Sequence, residues 1–345
     1  RCSPAQIADL FPTADPDSPS TIPDDALAAL DGNLLEALPP GLASDGASNI
    51  WTLAGRRTTT GKPILANDPH LRLQVPSTWY LARLETPDGV MAGATAPGVP
   101  PVVLERLADG DPERYETPDG PVAFARRTVE IAVRGEAEPR RVELRRGRFG
   151  PAIGEALLGD KANLVPDGYV LTLAWPALLE ADTSADALVR LGRAGDWGAF
   201  TAAMRRFVAP QQNVFYADVA GNIGFYTPGL TPIREGHDGS RPIEGWRQRA
   251  IWRGIVPFEA LPHALNPENG QLVNANNRVV AEDYPYPLAS AWPEPYRAER
   301  IEERLAAQPV WSPTDTEALQ LDELSVSARE LLPLLLKAAP APGPA

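Results

Sequence analysis

The chain has 345 residues, with 32 Lys and Arg against 45 Asp and Glu, three His and one Cys. That length is ample for a buried core in one large or two ordinary domains, and the net charge of −13 argues against nucleic acid or an anionic membrane as a partner. The lone Cys2 excludes an internal disulfide and a cysteine metal site, and His70, His237 and His263 show no HExxH or HxH spacing. No apolar run approaches the ~18 residues of a membrane span.

The chain opens on Arg1, with no basic segment leading into an apolar run, so any signal peptide is expected to have been removed or to lie outside these residues. Residues 1–47 are rich in Pro, Asp, Ser and Ala, with a short helical piece at Asp24 to Leu30, and read as a tail followed by an exposed linker. The character changes at Ser48. Ser48-Asn-Ile-Trp-Thr-Leu-Ala-Gly55 alternates bulky and small or polar residues, and a polar turn at Arg56 to Gly61 separates it from the apolar Pro63-Ile-Leu-Ala66, which predicts paired strands. Residues 126–149 predict a second hairpin, with Val129, Ile131 and Val133 on one arm, Val142 and Leu144 on the other, and Gly135 to Pro139 between. The arginines of this stretch form a solvated strand face rather than a nucleic-acid patch.

From Thr183 to Phe207 the period becomes helical, with Asp196 as an N-cap and Trp197, Phe200, Met204 and Phe207 as one apolar stripe of core. Strands return in Asn213 to Tyr226 around an Asp/Gly/Asn turn. A last helix is expected from about Thr314, with Leu319, Leu321 and Leu324 facing inward, followed by an apolar helical segment at Leu331 to Leu336 and a Pro-rich end that cannot pack. Both ends read as cuts in a longer protein. Strands before and after a helical insert predict a layered α/β or α+β sheet protein.

No GxSxG, phosphate-binding loop or dinucleotide fingerprint is present. The informative features are Ser48, which starts a strand behind the small, flexible Ala43-Ser-Asp-Gly-Ala47, and Asn274 and Asn276 at the end of a strand far downstream. Residue type and spacing alone read these as a strand-start serine and turn asparagines.

Four segments in order give them roles: Ser48-Asn-Ile-Trp, Gly61-Lys-Pro-Ile-Leu-Ala-Asn-Asp-Pro-His-Leu71, Gln212-Asn-Val-Phe-Tyr-Ala-Asp-Val-Ala-Gly-Asn-Ile-Gly224 and Gly270-Gln-Leu-Val-Asn-Ala-Asn-Asn277. Arg241-Pro-Ile-Glu-Gly-Trp246, Trp252-Arg-Gly-Ile-Val-Pro-Phe258, Pro295-Tyr-Arg-Ala-Glu-Arg-Ile301 and Gln320-Leu-Asp322 fill the intervals. Together they resemble the penicillin acylase (penicillin amidase) family of N-terminal nucleophile hydrolases across residues 40 to 325. The resemblance implies a four-layer αββα sandwich of the α+β class, truncated at both ends. It makes residues 1–47 the end of an α chain and linker, and residues 48–345 the first part of a catalytic β chain with a helical insert around 183–207.

It further implies cleavage between Ala47 and Ser48, after which the α-amino group of Ser48 takes the proton of its own hydroxyl. An α-amine has a reference pKa near ~8 and serves as a base at neutral pH. The resemblance makes Asn276 the side-chain donor to the oxyanion and Asn274 its support. Arg297 becomes the arginine that organises the site through the carbonyl of Asn276 or through a substrate carboxylate. His70 becomes a histidine beside the nucleophile, where a turn residue is the alternative.

The chain departs from the family at Pro100-Pro-Val-Val-Leu-Glu-Arg106. Val103 joins Leu104 where the family carries a segment with the backbone donor of the oxyanion hole, part of the acyl pocket and acidic ligands of a structural calcium. The family's Arg-His-Gly-Pro is altered to Arg148-Phe-Gly-Pro151. The reading is therefore an amidohydrolase acting on a linear amide of a penicillin, cephalosporin, acyl-homoserine lactone or lipopeptide, without a catalytic cofactor. The resemblance leaves a structural calcium possible, with its main ligand segment absent. The alternative is a catalytically impaired relative that binds an acyl ligand. The implied partners are the small-molecule substrate and the α chain of the same precursor, and the implied location is periplasmic or secreted.

Overall fold

A computed structural model of the chain describes residues 47–70, 80–86, 89–95, 102–153, 165, 167–237, 243–248, 251–286, 288–289 and 292–338. The helical piece expected at Asp24 to Leu30, Cys2, Gly46 and the Pro-rich end after residue 338 lie outside the described residues.

In chain order the strands are β1 (Ala47–Leu53), β2 (Ile64–His70), β3 (Tyr80–Thr86), β4 (Gly89–Thr95), β5 (Val102–Arg106), β6 (Arg114–Tyr115), β7 (Val122–Ala123), β8 (Ala125–Ile131), β9 (Arg140–Arg146), β10 (Ala152–Ile153) and β11 (Tyr169–Leu173). They continue with β12 (Val214–Ala217), β13 (Ile223–Tyr226), β14 (Pro232–Ile233), β15 (Ile243–Glu244), β16 (Gly254–Ile255), β17 (His263–Leu265) and β18 (Gln271–Asn274). The helices are α1 (Ser184–Leu191), α2 (Trp197–Met204), α3 (Tyr296–Ala306), α4 (Pro313–Gln320) and α5 (Val326–Ala338). The described residues divide between two compact units. The described residues of one lie within Pro100–Trp175 and Arg234–Trp252, and those of the other within Ser44–Val99, Pro176–Ile233 and Arg253–Ala345.

In the first unit, β5 lies inside a sheet of order β10-β11-β5-β15, antiparallel to β11 and parallel to β15. The Val103–Leu104 junction is thus interior to a strand, and both residues are 1% exposed. Glu105 follows them into the core at 0% exposure. Its Oε1 accepts a 3.2 Å hydrogen bond from the Thr172 hydroxyl, and its Oε2 has no partner among the described residues. Gly245 lies so close to this carboxyl that a Cβ there would collide with it. Burial pushes the Glu105 carboxyl up to about 7, against the opposing pull of Thr172 and the Arg148 charge. The expected hairpin is present as β8 and β9, with Val129 opposite Val142. Its arginines are solvated and paired on the surface, as in Arg126 with Glu143 at 2.7 Å and Arg141 with Glu130 at 2.9 Å.

The second unit contains the sheet β18-β1-β2, with β1 central, and a sheet of order β12-β13-β17. Alternation along β1 sends Trp51 and Leu53, 1% and 0% exposed, into a core with Ala298, Ile301 and Leu305 of α3, and Trp311 and Leu319. Residues 298, 301 and 305 recur at helical spacing, which fixes the face that α3 presents to β1. A second core gathers Phe200 and Met204 of α2 with Tyr216 and Tyr226. Asp196 caps α2 by accepting from the Ala199 N–H at 2.8 Å, as its position predicts. Phe207 is also buried, although α2 ends at Met204.

The end of the chain corrects one expectation. Helix α4 starts at a capping box formed by Ser312 and Asp315, and Leu319 is buried. Leu321 and Leu324 face solvent, 80% and 44% exposed. The helix stops at Gln320, and Asp322 turns inward to a bidentate pair with Arg300 at 2.9 and 2.7 Å, which directs its neighbour Leu321 outward. Leucines 331, 332, 334, 335 and 336 of α5 are likewise 52–66% exposed.

Candidate active site

Ser48 is the second residue of β1, and the two ladders of this strand are unequal. β2 pairs with β1 from Ala47 to Leu53, whereas β18 pairs only from Ile50 to Leu53. β18 ends at Asn274, so beside Ser48 the strand edge would carry an open N–H and an open C=O. Two side chains take the place of the missing strand. The Ser48 N–H donates to Asn276 Oδ1 at 2.9 Å, and the Ser48 carbonyl accepts from Arg297 Nη1 at 2.7 Å.

Arg297 sits in the first turn of α3 and reaches four oxygens. Nη1 bonds the Ser48 carbonyl and Asn49 Oδ1, each at 2.7 Å, while Nη2 bonds the Ala275 carbonyl at 2.6 Å and Asn276 Oδ1 at 3.0 Å. All four are neutral acceptors, so the guanidinium brings a net positive charge into a partly buried site. Burial lowers its pKa from the ordinary arginine value without removing the charge.

Asn276 adopts φ 68°, the left-handed region that asparagine tolerates better than other non-glycine residues. Its Oδ1 accepts from two donors, which fixes the amide orientation and turns Nδ2 away from the Ser48 N–H and Arg297. An amide held by its oxygen in this way presents its NH2 as a pre-aimed donor. Asn274 is 5% exposed and accepts the Asn276 backbone N–H on its Oδ1 at 3.1 Å.

The structure thus brings together Ser48, Asn276, Arg297 and Asn274, which stand up to 249 residues apart in sequence. His70 stands apart from them. The register sets it opposite Ala47, with Ser48 opposite Pro69, so His70 and Ser48 project on opposite faces of the sheet. The His70 ring is 2.8 Å from Asp68 on its own strand. Asn49 is a site residue to which sequence reasoning assigned no role. Its only signal was its position directly after Ser48.

Among the described residues, no group of three or more His, Cys, Asp or Glu side chains is arranged to hold a metal ion. No described helix is long and apolar enough to cross a membrane. A cavity of about 740 Å³ borders Asn274 and Asn277, floored by Phe215, Phe225, Leu272 and Val273. Ser48, Asn276 and Arg297 are not among its described lining residues.

The family model described as penicillin amidase matches residues 1–104 and 101–344. The two matches meet at residues 101–104, where a family segment is expected to be missing. The chain is 36% identical over 307 residues to the penicillin acylase 2 proenzyme of Pseudomonas sp. (strain SE83), covering 82% of this chain and 38% of that protein. It is 29% identical over 333 residues to the acyl-homoserine lactone acylase QuiP of Pseudomonas aeruginosa, with 88% and 39% coverage. Against the penicillin G acylase of Escherichia coli the identity is 28% over 329 residues, with 85% and 37% coverage. The structure is similar to that of a thermostable penicillin G acylase from Alcaligenes faecalis, with a TM-score of 0.68 and 23% identity over 86% of this chain and 56% of that one. That likeness carries the α+β fold of the N-terminal nucleophile hydrolases. The chain spans about two-fifths of the length of the curated relatives it matches.

Proposed function

The chain belongs to the penicillin amidase family, and from that membership we propose that it is the part of an acylase precursor that carries the nucleophile, with Ser48 becoming the first residue of a β chain after cleavage from Ala47. The observation that carries this reading is the double grip on Asn276 Oδ1 by the Ser48 N–H at 2.9 Å and Arg297 at 3.0 Å. One amide thereby holds the nitrogen that becomes the base and turns its own NH2 outward as a donor.

In the proposed reaction the Ser48 hydroxyl oxygen bonds to the carbonyl carbon of a linear amide while its proton passes to the Ser48 α-amine. Negative charge on the carbonyl oxygen is met by Asn276 Nδ2. Collapse breaks the C–N bond, the departing amine takes the proton, and a serine ester remains. Water then adds to that ester, giving its proton to the α-amine, and the carboxylic acid leaves as Ser48 is re-protonated. Arg297 has a role in both halves. Its charge holds the Ser48 carbonyl and disfavours a protonated amine nearby, which keeps the base available at neutral pH.

The names of the relatives support an acyl amide substrate of the penicillin or acyl-homoserine lactone class, and the proposed range extends to cephalosporins and lipopeptides. The α chain of the same precursor and a periplasmic or secreted location belong to this reading. No step passes through a metal. A second reading, an acyl-binding relative with impaired catalysis, is favoured by the two-part family match and the continuous strand β5 across Val103–Leu104. It leaves Asn276 without a backbone partner donor, which costs about 10²–10³ in rate.

Intact mass and acid release from phenylacetyl and long-chain acyl amides separate the two. The first reading expects a split before Ser48, abolished in Ser48→Ala, together with acid release. An unchanged mass after prolonged incubation, with no acid released, overturns it.

A further inference from the structure

We infer that Asn213 and Thr227 are positioning residues that lock the Asn274 amide and thereby hold Asn276 in its donor geometry; this rests on the role given to Asn276 above. Asn213 precedes β12 and Thr227 follows β13, and the pairing of Val214 with Tyr226 brings them together as the next rung beyond the ladder. The Thr227 hydroxyl donates to Asn213 Oδ1 at 3.0 Å, and Asn213 Nδ2 donates to Asn274 Oδ1 at 3.0 Å.

The direction of this chain is set by backbone groups, whose roles cannot reverse. The Asn276 N–H can only donate, and it reaches Asn274 Oδ1 at 3.1 Å. The Asn277 carbonyl can only accept, and it takes Asn274 Nδ2 at 3.1 Å. Asn274 therefore has one permitted orientation. Asn213 must present its NH2 to that oxygen, and Thr227 must donate to the oxygen left over. Asn274 is 5% exposed, so water offers little substitute for any of these bonds.

The relay reaches Asn276 through its own main chain. The bond from the Asn276 N–H to Asn274 closes the turn in which Asn276 takes φ 68°. A carboxylate at position 213 would draw the Asn274 NH2 towards itself. Asn274 Oδ1 would then face the Asn277 carbonyl, and the Asn276 N–H would face an NH2. Asn213→Asp is nearly isosteric and reverses one link in the chain, which makes it a sharper probe than a truncation.

The experiment compares the full chain with Asn213→Asp, Thr227→Val and Thr227→Ser by hydrogen exchange at the Asn276 backbone amide and by acid release. Loss of one buried hydrogen bond corresponds to about tenfold. Asn213→Asp is expected to exchange about tenfold faster at Asn276 and to lower kcat by a similar factor with KM unchanged. Thr227→Val should move both readouts in the same direction, and Thr227→Ser should restore them, since it keeps the hydroxyl. Wild-type exchange in folded Asn213→Asp and Thr227→Val overturns the relay. Should Asn213→Asp fail to fold, the two Thr227 variants decide. A chain that neither splits before Ser48 nor releases acid defeats the proposed function, while the exchange rates at Asn276 still decide the relay.

Discussion

Glu105 is a carboxyl with 0% exposure and, among the described residues, one hydrogen bond and an unpartnered oxygen, and burial pushes its pKa up to about 7 from an ordinary 4.5. Because the folded value exceeds the unfolded one, the protonated carboxyl favours the fold. Its contribution is complete below pH 4.5 and is lost as the pH rises through about 7. At ~1.36 kcal/mol for each tenfold change, the full difference is roughly 3 kcal/mol. Glu105→Gln keeps an oxygen for the Thr172 hydroxyl and removes the charge. Urea unfolding of the full chain and this variant at pH 4 and pH 8 isolates the group, since every other titration cancels in the difference. The wild type should lose roughly 3 kcal/mol relative to the variant between the two pH values. A difference that does not change with pH would mean that Glu105 stays ionised in the folded state, and the argument from its burial would fail.

Asn276→Ala removes the side-chain donor and should lower kcat by about 10²–10³ with little change in KM, as read from steady-state kinetics of acid release. Arg297→Lys keeps the charge, but a single ammonium cannot span two carbonyls and two side-chain oxygens, so cleavage before Ser48, followed by mass, should slow by at least about tenfold. Gly224 packs against the Trp197 ring so closely that a Cβ would lie within 3.0 Å of its carbons. Gly224→Ala should therefore destabilise the chain by about 1–3 kcal/mol in thermal or urea unfolding.

The local elements were legible wherever periodicity and punctuation agreed. Ser48 to Leu53 alternates because one face meets α3, and Asp196 caps α2 because a carboxylate before an apolar stripe has an N–H to accept from. Leu321 and Leu324 were misjudged because helical phase was carried past Gln320, where the pull of Asp322 towards Arg300 replaces it. The site was legible only through family resemblance. Ser48, Asn276 and Arg297 meet because β18 ends at Asn274 and α3 packs on β1, and no local pattern encodes that meeting. Nothing in the local sequence sets Asn49, Asn213 or Thr227 apart from other polar residues near strand ends. Glu105 carried no local signal, because a lone acid on a strand gives no sign of which sheet will cover it.

The unequal ladders of β1 also act as a ruler. A slip of one residue against β2 would carry Trp51 and Leu53, 1% and 0% exposed, out to the opposite face, so the core tolerates one register alone. The position of residue 48 is thus measured from side chains three and five residues downstream, which no cut before it would disturb. A chain end is ordinarily the least ordered part of a protein. Here a break between Ala47 and Ser48 would create an end already fixed to β2 along its length and to Asn276 and Arg297 at its tip, a mobile group mounted with the precision of a buried one.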